Sequence, residues 1–243
     1  MADIAYVILG ATGGVGSALC RRLSARGARL TVAARDCQRT RAFAAELGAH
    51  AVPTDATCAA HVDRCFAAAL EHHGRIDGVV NCVGSVLLKP AHLTTDDEWG
   101  AVLAANLTSA FLTVRAAVRA MTPAGGSVVL VSSAAARLGL ANHEAIAAAK
   151  AGVQGLVLSA AASYAGRGIR VNAVAPGLVR TPLTARFIAN EATLKASTAL
   201  HALGRIGEPD DVASAIEWLL DQTWVTGQIL GVDGGLATVR SRS

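Results

Sequence analysis

The sequence predicts one α/β domain: a doubly wound sheet of about seven parallel strands with helices on both faces. Three observations lead there. Short continuous apolar runs recur near residues 4–9, 29–34, 50–53, 76–82, 126–131, 169–174 and 228–232, the pattern of strands buried on both faces. Helical segments fill the gaps, and alternation of this kind implies parallel strands joined by right-handed crossovers. The residues able to do chemistry fall just after the runs, where ligands bind in open α/β sheets. With 243 residues, 52% of them hydrophobic, residues 1–243 are expected to form a single undivided domain.

The first strand, Ile4-Ala5-Tyr6-Val7-Ile8-Leu9, leads into Gly10-Ala11-Thr12-Gly13-Gly14-Val15-Gly16 and then a helix from Ser17 to about Arg26. Strand, glycine-rich turn and helix make the opening unit of a dinucleotide-binding fold. A side chain in the turn would hold the backbone away from a pyrophosphate, and the helix must present free N–H groups to it. Gly10, Thr12, Gly13, Gly14, Val15 and Gly16 are therefore candidate cofactor contacts. The second strand ends Leu30-Thr31-Val32-Ala33-Ala34-Arg35. An NAD-selective site would carry an acidic residue there to bind the ribose hydroxyls. Ala34 removes that charge, and the Arg35 guanidinium can pair bidentately with a 2′-phosphate, so NADP(H) is expected over NAD(H). A register shifted by two would instead offer Asp36 as the acidic residue.

Later strands end in further motifs. The third is followed by Asp55-Ala56-Thr57 and the fourth by Asn81-Cys82-Val83-Gly84, with Asn106 in the next helix. Val129-Leu130-Val131-Ser132-Ser133 and Asn172-Ala173-Val174-Ala175-Pro176-Gly177 follow, then Arg205-Ile206-Gly207-Glu208-Pro209, Thr226-Gly227-Gln228 and Val232-Asp233-Gly234-Gly235. Together with the spacing Gly10-x-x-x-Gly14-x-Gly16, this ordered set resembles the short-chain dehydrogenase/reductase family over nearly the whole chain.

The resemblance implies an oxidoreductase that moves a hydride between nicotinamide and a carbonyl or alcohol carbon. It adds Asp55, Ala56, Asn81, Val83, Gly84, Lys150, Pro176, Gly177, Val179 and Thr181 to the cofactor contacts. In the family a tyrosine hydroxyl exchanges the proton, a lysine lowers its pKa, a serine orients the substrate oxygen and an asparagine holds a water in the proton relay. Ser133, Lys150 and Asn106 stand at the matching positions; Ile146 stands at the tyrosine's. The nearest tyrosine, Tyr164, lies far down the same helix, and isoleucine has no proton to donate.

His143, seven residues before Lys150, has the tyrosine–lysine spacing of bacterial enoyl-acyl-carrier-protein reductases and is the candidate substitute donor. A histidine titrates near neutral pH, and the adjoining Glu144 could raise its pKa. Alternatively, Asn142, His143 and Glu144 simply lead into a helix, with Asn142 as N-cap and Glu144 favouring the dipole. Lys150 lies on an apolar face, Ile146-Ala147-Ala148-Ala149, where an ammonium needs a partner; a ribose hydroxyl supplies one.

The net charge of +4 comes from arginines scattered without a dense basic run, which argues against nucleic-acid binding. Five cysteines without a Cys-x-x-Cys pair argue against a disulfide framework and a metal site. No stretch reads as both long and uncharged enough to span a bilayer and no leader is evident, so no membrane association and a cytoplasmic location are expected. Residues 180–205 interrupt the alternation and are the expected substrate lid. The small residues from Ala147 to Ala165 suit close helix pairing in a homodimer or homotetramer. Three function classes fit these residues: a reductase of a small, partly apolar carbonyl or activated C=C substrate with an unusual proton donor, a cofactor-binding sensor or scaffold subunit, and a non-redox lyase or isomerase.

Overall fold

The computed structural model describes residues 4–121 and 124–240. Seven parallel strands form one sheet in the order β3-β2-β1-β4-β5-β6-β7. They are β1 (Ala5–Leu9), β2 (Arg29–Ala33), β3 (His50–Ala51), β4 (Gly78–Asn81), β5 (Gly126–Val131), β6 (Ile169–Pro176) and β7 (Ile229–Val232). All seven expected strands are present. The third stops at Ala51 rather than residue 53: Val52 and Thr54 still donate to the Val32 and Ala34 carbonyls, but Pro53 has no N–H with which to continue a ladder. The sixth runs on to Pro176, because β7 pairs with it as far as Val232.

Alternation along the strands loads both faces. Val7, Leu9, Val79, Val128 and Leu130 point to one side, beneath α3 (Ala59–His73), α5 (Ser109–Met121) and α6 (Glu144–Tyr164). Ile8, Val32, Val80, Val129 and Val174 point to the other, beneath α1 (Gly14–Ala25), α2 (Cys37–Leu47) and α9 (Pro209–Asp221). The stretches Asp96–Met121 and Glu144–Arg167 are, contrary to the sequence reading, long and apolar enough to cross a membrane by length and composition. Here that apolarity serves the core, since Leu112, Val114, Val153 and Val157 cover the sheet.

Helix α4 (Asp96–Leu103) passes into α5 through one π turn, Ala104–Thr108. Residues expected to form a lid fold into α7 (Ala185–Ile188) and α8 (Glu191–Leu200), which pack chiefly on each other. From β1 the chain steps outward to β2 and β3, then returns to β4 beside β1, with Leu9 opposite Asn81. That reversal opens a crevice outside the carboxyl ends of β1 and β4.

Candidate active site

The glycine turn and the β4 turn meet across this crevice. Gly10 takes φ +75°, and a Cβ on it would lie 2.8 Å from both Cys82 C and Val83 N. A Cβ on Gly16 would collide with the Gly10 carbonyl oxygen. Helix α1 starts at Gly14, three residues earlier than the sequence reading, with no capping side chain at Gly13 and no acidic residue in its first turn. Its opening N–H groups and positive dipole end thus face the crevice uncompensated, which fits a dinucleotide pyrophosphate.

The register of β2 is fixed by the Ala33 carbonyl, which accepts from Gly10 N at 2.8 Å and Ala11 N at 3.2 Å. Ala34 and the exposed Arg35 therefore follow the strand directly. Asp36 is the N-cap of α2, accepting from Arg39 N at 2.9 Å, so its alternative assignment to the ribose does not fit the fold. Thr12 accepts at its carbonyl from Arg39, 2.8 Å away. Asp55 accepts from Thr57 N at 2.9 Å and Thr57 Oγ1 at 2.7 Å. These bonds hold its carboxyl below the usual range, and nearby Arg35 adds to the effect. Ala56 is buried in the core beneath α3, whereas Val15 packs against the opposite core face.

The floor of the crevice is polar and closely bonded. Asn81 accepts from Val83 N at 2.8 Å and donates to Thr113 Oγ1 at 3.0 Å, which shapes the turn after β4. Asn106 sits in the π turn, 2% exposed. Its Nδ2 donates to Val102 O at 2.9 Å and Ser85 Oγ at 3.0 Å, and its Oδ1 accepts from Ser85 N at 3.2 Å. A Cβ on Gly84 would lie 2.9 Å from Asn106 Oδ1 and 3.6 Å from Lys150 Nζ, so both flank the same bare backbone. Lys150 is buried and donates from Nζ to Val131 O at 2.7 Å. Burial pushes its ammonium down to about 8, because removal from water disfavours the charged form. Burial likewise pushes the Cys82 thiol up to about 12, with Lys150 opposing the shift.

The two serines after β5 differ. Ser132 Oγ donates to Lys150 O at 2.9 Å and accepts from Gln154 Nε2 at 3.0 Å, tying β5 to α6. Ser133 Oγ accepts from Ala135 N at 3.1 Å and caps a single 3₁₀ turn over Ala134–Ala136.

Ile146 is 4% exposed and belongs to an apolar cluster with Val102, Ala145 and Ala149, flanked by Leu87, Leu103 and Leu107. Asn142 is not the N-cap of α6. It takes φ +63° and its carbonyl accepts from Lys89 N at 2.8 Å; His143 is the N-cap, without a capping side-chain bond. Asn142 is a residue type that tolerates this left-handed conformation, which turns the chain into the helix. His143 Nδ1 lies 2.7 Å from Ala141 O. A carbonyl only accepts, so Nδ1 carries the hydrogen and Nε2 is the free nitrogen. Glu144 reaches the Ala91 N–H at 3.4 Å, at the outer limit of a hydrogen bond.

Beyond Pro176, a Cβ on Gly177 would lie 2.6 Å from His201 Nε2. His201, which the sequence reading missed, is buried; its Nε2 accepts from Leu178 N at 3.2 Å while Nδ1 donates to Ser197 O at 2.7 Å. Val179 forms a bridge to Gly207. Thr184 Oγ1, also unanticipated, donates to Val179 O at 2.5 Å and accepts from Thr181 N at 3.1 Å. Thr181 thereby sits over the glycine turn, where a Cβ on Gly14 would be 2.6 Å from its Cγ2. Ser85 is the other polar residue that sequence reasoning passed over, because nothing in a lone serine after a glycine marks a site.

Comparison with known proteins agrees with this geometry. A family model described as enoyl-(acyl carrier protein) reductase matches residues 10–237. Cis-4-hydroxycyclohexanecarboxylate dehydrogenase of Sinomonas cyclohexanicum is 38% identical over 247 residues, covering 98% of both chains. Among solved structures, a short-chain type dehydrogenase/reductase from Mycobacterium ulcerans superimposes with a TM-score of 0.94 at 30% identity, over 98% of this chain and 91% of that one. The actinorhodin polyketide ketoreductase, crystallised with NADPH, gives 0.91 at 28% identity over 98% of each. Fold, motifs and relatives together place the chain in the short-chain dehydrogenase/reductase family of oxidoreductases.

Proposed function

We propose that this protein is an NADP(H)-dependent reductase of a small, partly apolar carbonyl or activated C=C substrate, working with a proton donor other than the family tyrosine. The observation that carries the reading is the floor of the crevice. Asn106, Ser133 and Lys150 stand at the family's positions on the elements that flank the β1/β4 crevice, while Ile146 fills an apolar cluster where the phenol would start.

Gly10, Thr12, Gly13, Gly14, Val15 and Gly16 would hold the pyrophosphate, and Arg35 the 2′-phosphate. Asp55 and Ala56 would contact the adenine. Asn81, Val83, Gly84, Pro176, Gly177, Val179 and Thr181 would line the nicotinamide half, with Lys150 reaching the ribose. When bound, the nicotinamide supplies or accepts a hydride. Ser133 would offer its hydroxyl proton to the substrate oxygen, since its Oγ serves only as an acceptor among the described residues. His143, with Nε2 unengaged among the described residues, is the candidate donor. Assembly as a homodimer or homotetramer and a cytoplasmic location complete the proposal.

Titration followed by nicotinamide fluorescence tests the cofactor assignment. NADPH is expected to bind at least about tenfold more tightly than NADH, as a bidentate charged contact is worth more than about 1.4 kcal/mol. Arg35→Ala should erase the difference. Equal affinities in the wild type, or a preference that survives the substitution, would remove Arg35 from this role. A second reading, a cofactor-binding subunit without turnover, draws on the buried apolar packing of Ile146.

A further inference from the structure

We propose that the Ser85 hydroxyl is a catalytic hydrogen-bond donor to the reacting oxygen of the substrate, held in place by Asn106. This rests on the reductase reading above. Two reciprocal bonds fix Ser85: its backbone N–H donates to Asn106 Oδ1 at 3.2 Å, and Asn106 Nδ2 donates to Ser85 Oγ at 3.0 Å. Asn106 is itself buried and anchored by its second amide hydrogen on Val102 O at 2.9 Å. A side chain so clamped is oriented before any ligand arrives, the condition under which a donor stabilises developing charge.

An inventory of hydroxyl protons separates Ser85 from its neighbours. Ser109 Oγ donates to Ala105 O at 2.7 Å, Thr113 Oγ1 to Ser109 O at 2.8 Å, and Ser132 Oγ to Lys150 O at 2.9 Å. Each of these protons is spent on a backbone carbonyl. Ser85 Oγ acts only as an acceptor among the described residues, and because Nδ2 occupies one of its lone pairs, its O–H is directed away from Asn106. Ser133 Oγ, after β5, is likewise only an acceptor among the described residues.

Position supports the role. Ser85 directly follows Gly84, whose missing side chain leaves Asn106 and Lys150 facing the same space. It is half-buried at the start of the loop after β4, and Leu87 of the same loop packs on the apolar cluster that holds the buried Ile146. A substrate oxygen that reaches the space beside Gly84 would be offered the Ser85 hydroxyl, whereas Ile146 has none to give. Ser85 lends a hydrogen bond and keeps its proton. The product's O–H hydrogen is taken from solvent or from the separate donor, and the hydride from the nicotinamide accounts for the other.

The probe is 2,2,2-trifluoroacetophenone, a small, activated, partly apolar ketone, with NADPH oxidation followed by absorbance. Ser85→Ala is expected to lower kcat by about tenfold or more, since removing one oxyanion-type donor costs about 10²–10³. KM and NADPH affinity should stay within about threefold, and Ser85→Thr, which restores the hydroxyl, should recover most of kcat. A Ser85→Ala enzyme within about twofold of wild-type kcat, or a loss that threonine does not recover, overturns the proposal. Wild-type protein that leaves NADPH unoxidised with this ketone and with the activated C=C of 2-cyclohexen-1-one defeats the reductase reading instead. Ser85 is then judged by ¹⁹F NMR titration of 1-phenyl-2,2,2-trifluoroethanol onto the protein with NADP⁺ present. Binding weakened about fivefold by Ser85→Ala and kept by Ser85→Thr sustains the proposal, as fivefold is a contact of about 1 kcal/mol. Equal affinities, or no binding to the wild type, overturn it.

Discussion

Isoleucine at 146 has no proton to give, and the side chains around it are matched to that. Val102, Ala145, Ala149 and the three flanking leucines make an apolar pocket that would leave a phenol's oxygen in poor company unless it reached past them to the crevice. Ile146→Tyr is expected to create or raise alcohol–ketone exchange if Lys150 and Ser133 take the roles proposed for them, as a proton donor contributes about 10²–10⁴ in rate. The larger ring in a filled pocket should cost about 1–3 kcal/mol, visible as a lower melting midpoint. Steady-state turnover of simple ketones by wild type and variant, alongside thermal melts, checks both halves. His143→Ala separates the two readings of the α6 entry: it should abolish turnover if Nε2 is the donor and leave it unchanged if His143 only begins the helix. Family-like rates in the wild type, unaffected by His143→Ala, would refute the idea of a substitute donor.

Where α3 meets the edge of the sheet, three histidines come together. His50 on β3 stacks on His72 with ring centroids 4.3 Å apart, and His73 meets His72 edge-on at 4.7 Å. His73 Nε2 bonds Thr31 Oγ1 of β2 at 3.0 Å. Burial, reinforced by His72, Arg29 and His50, pushes His73 down to about 4; burial and His72 also lower His50, against a small opposing pull from Glu71. Each is therefore neutral in the folded protein at a pH where the unfolded chain would be protonated. The stability this confers is full above about 6.5, the unfolded value, and is lost as pH falls toward the folded value. Thermal melts should show a midpoint that drops between about pH 6.5 and 4, and His73→Gln should flatten that limb. None of this was legible in the sequence, for the three rings are brought together by strand pairing across 22 residues or more between His50 and His72. By contrast the strands were legible, because burial on both faces leaves continuous apolar runs. The glycine turn was legible because only glycine fits where backbones touch. The π turn around Asn106, the clamp on Ser85 and the pin at His201 were not, since each depends on side chains distant in sequence meeting at one place.

Across the whole molecule, helices α5 and α6 each carry an exposed apolar side chain on an outward face. Phe111 on α5 is 49% exposed and Leu158 on α6 is 56% exposed. On α6 the exposed residues Ala148, Ala151, Gly155, Leu158 and Ala162 recur at helical spacing along one stripe, small enough for a second helix to approach closely. A homodimer or homotetramer formed through this surface is the expected assembly. The inner and outer faces sort the variants that test it. Ala161, which the sequence reading grouped with Ala162 as an interface position, is 5% exposed and packs into the core beneath the sheet. A charge there would unfold the protein rather than divide it. Ala162 is exposed, so Ala162→Asp should leave the fold intact and yield monomers by light scattering at micromolar concentration, since an isologous contact repeats each repulsion twice. A monomeric wild type would remove the assembly from consideration.

The contact of Thr181 with Gly14 gives residues 180–205 a bearing on proteolysis. Helices α7 and α8 pack chiefly on each other, with Arg186 also reaching Val86 O at 3.1 Å, and such a segment is a candidate for local opening that exposes it to a protease. Its N-terminal hinge, however, rests on the glycine turn through Thr181. Occupancy of that turn by NADPH adds partners at the hinge, and a ligand that favours one conformation withdraws the other from attack. Tryptic cleavage after Arg186 and Lys195, the basic residues carried by α7 and α8, should therefore slow as NADPH is added, with half-protection at the concentration that half-saturates nicotinamide fluorescence. Cleavage that proceeds at one rate with and without cofactor would mean that the hinge and the turn move independently.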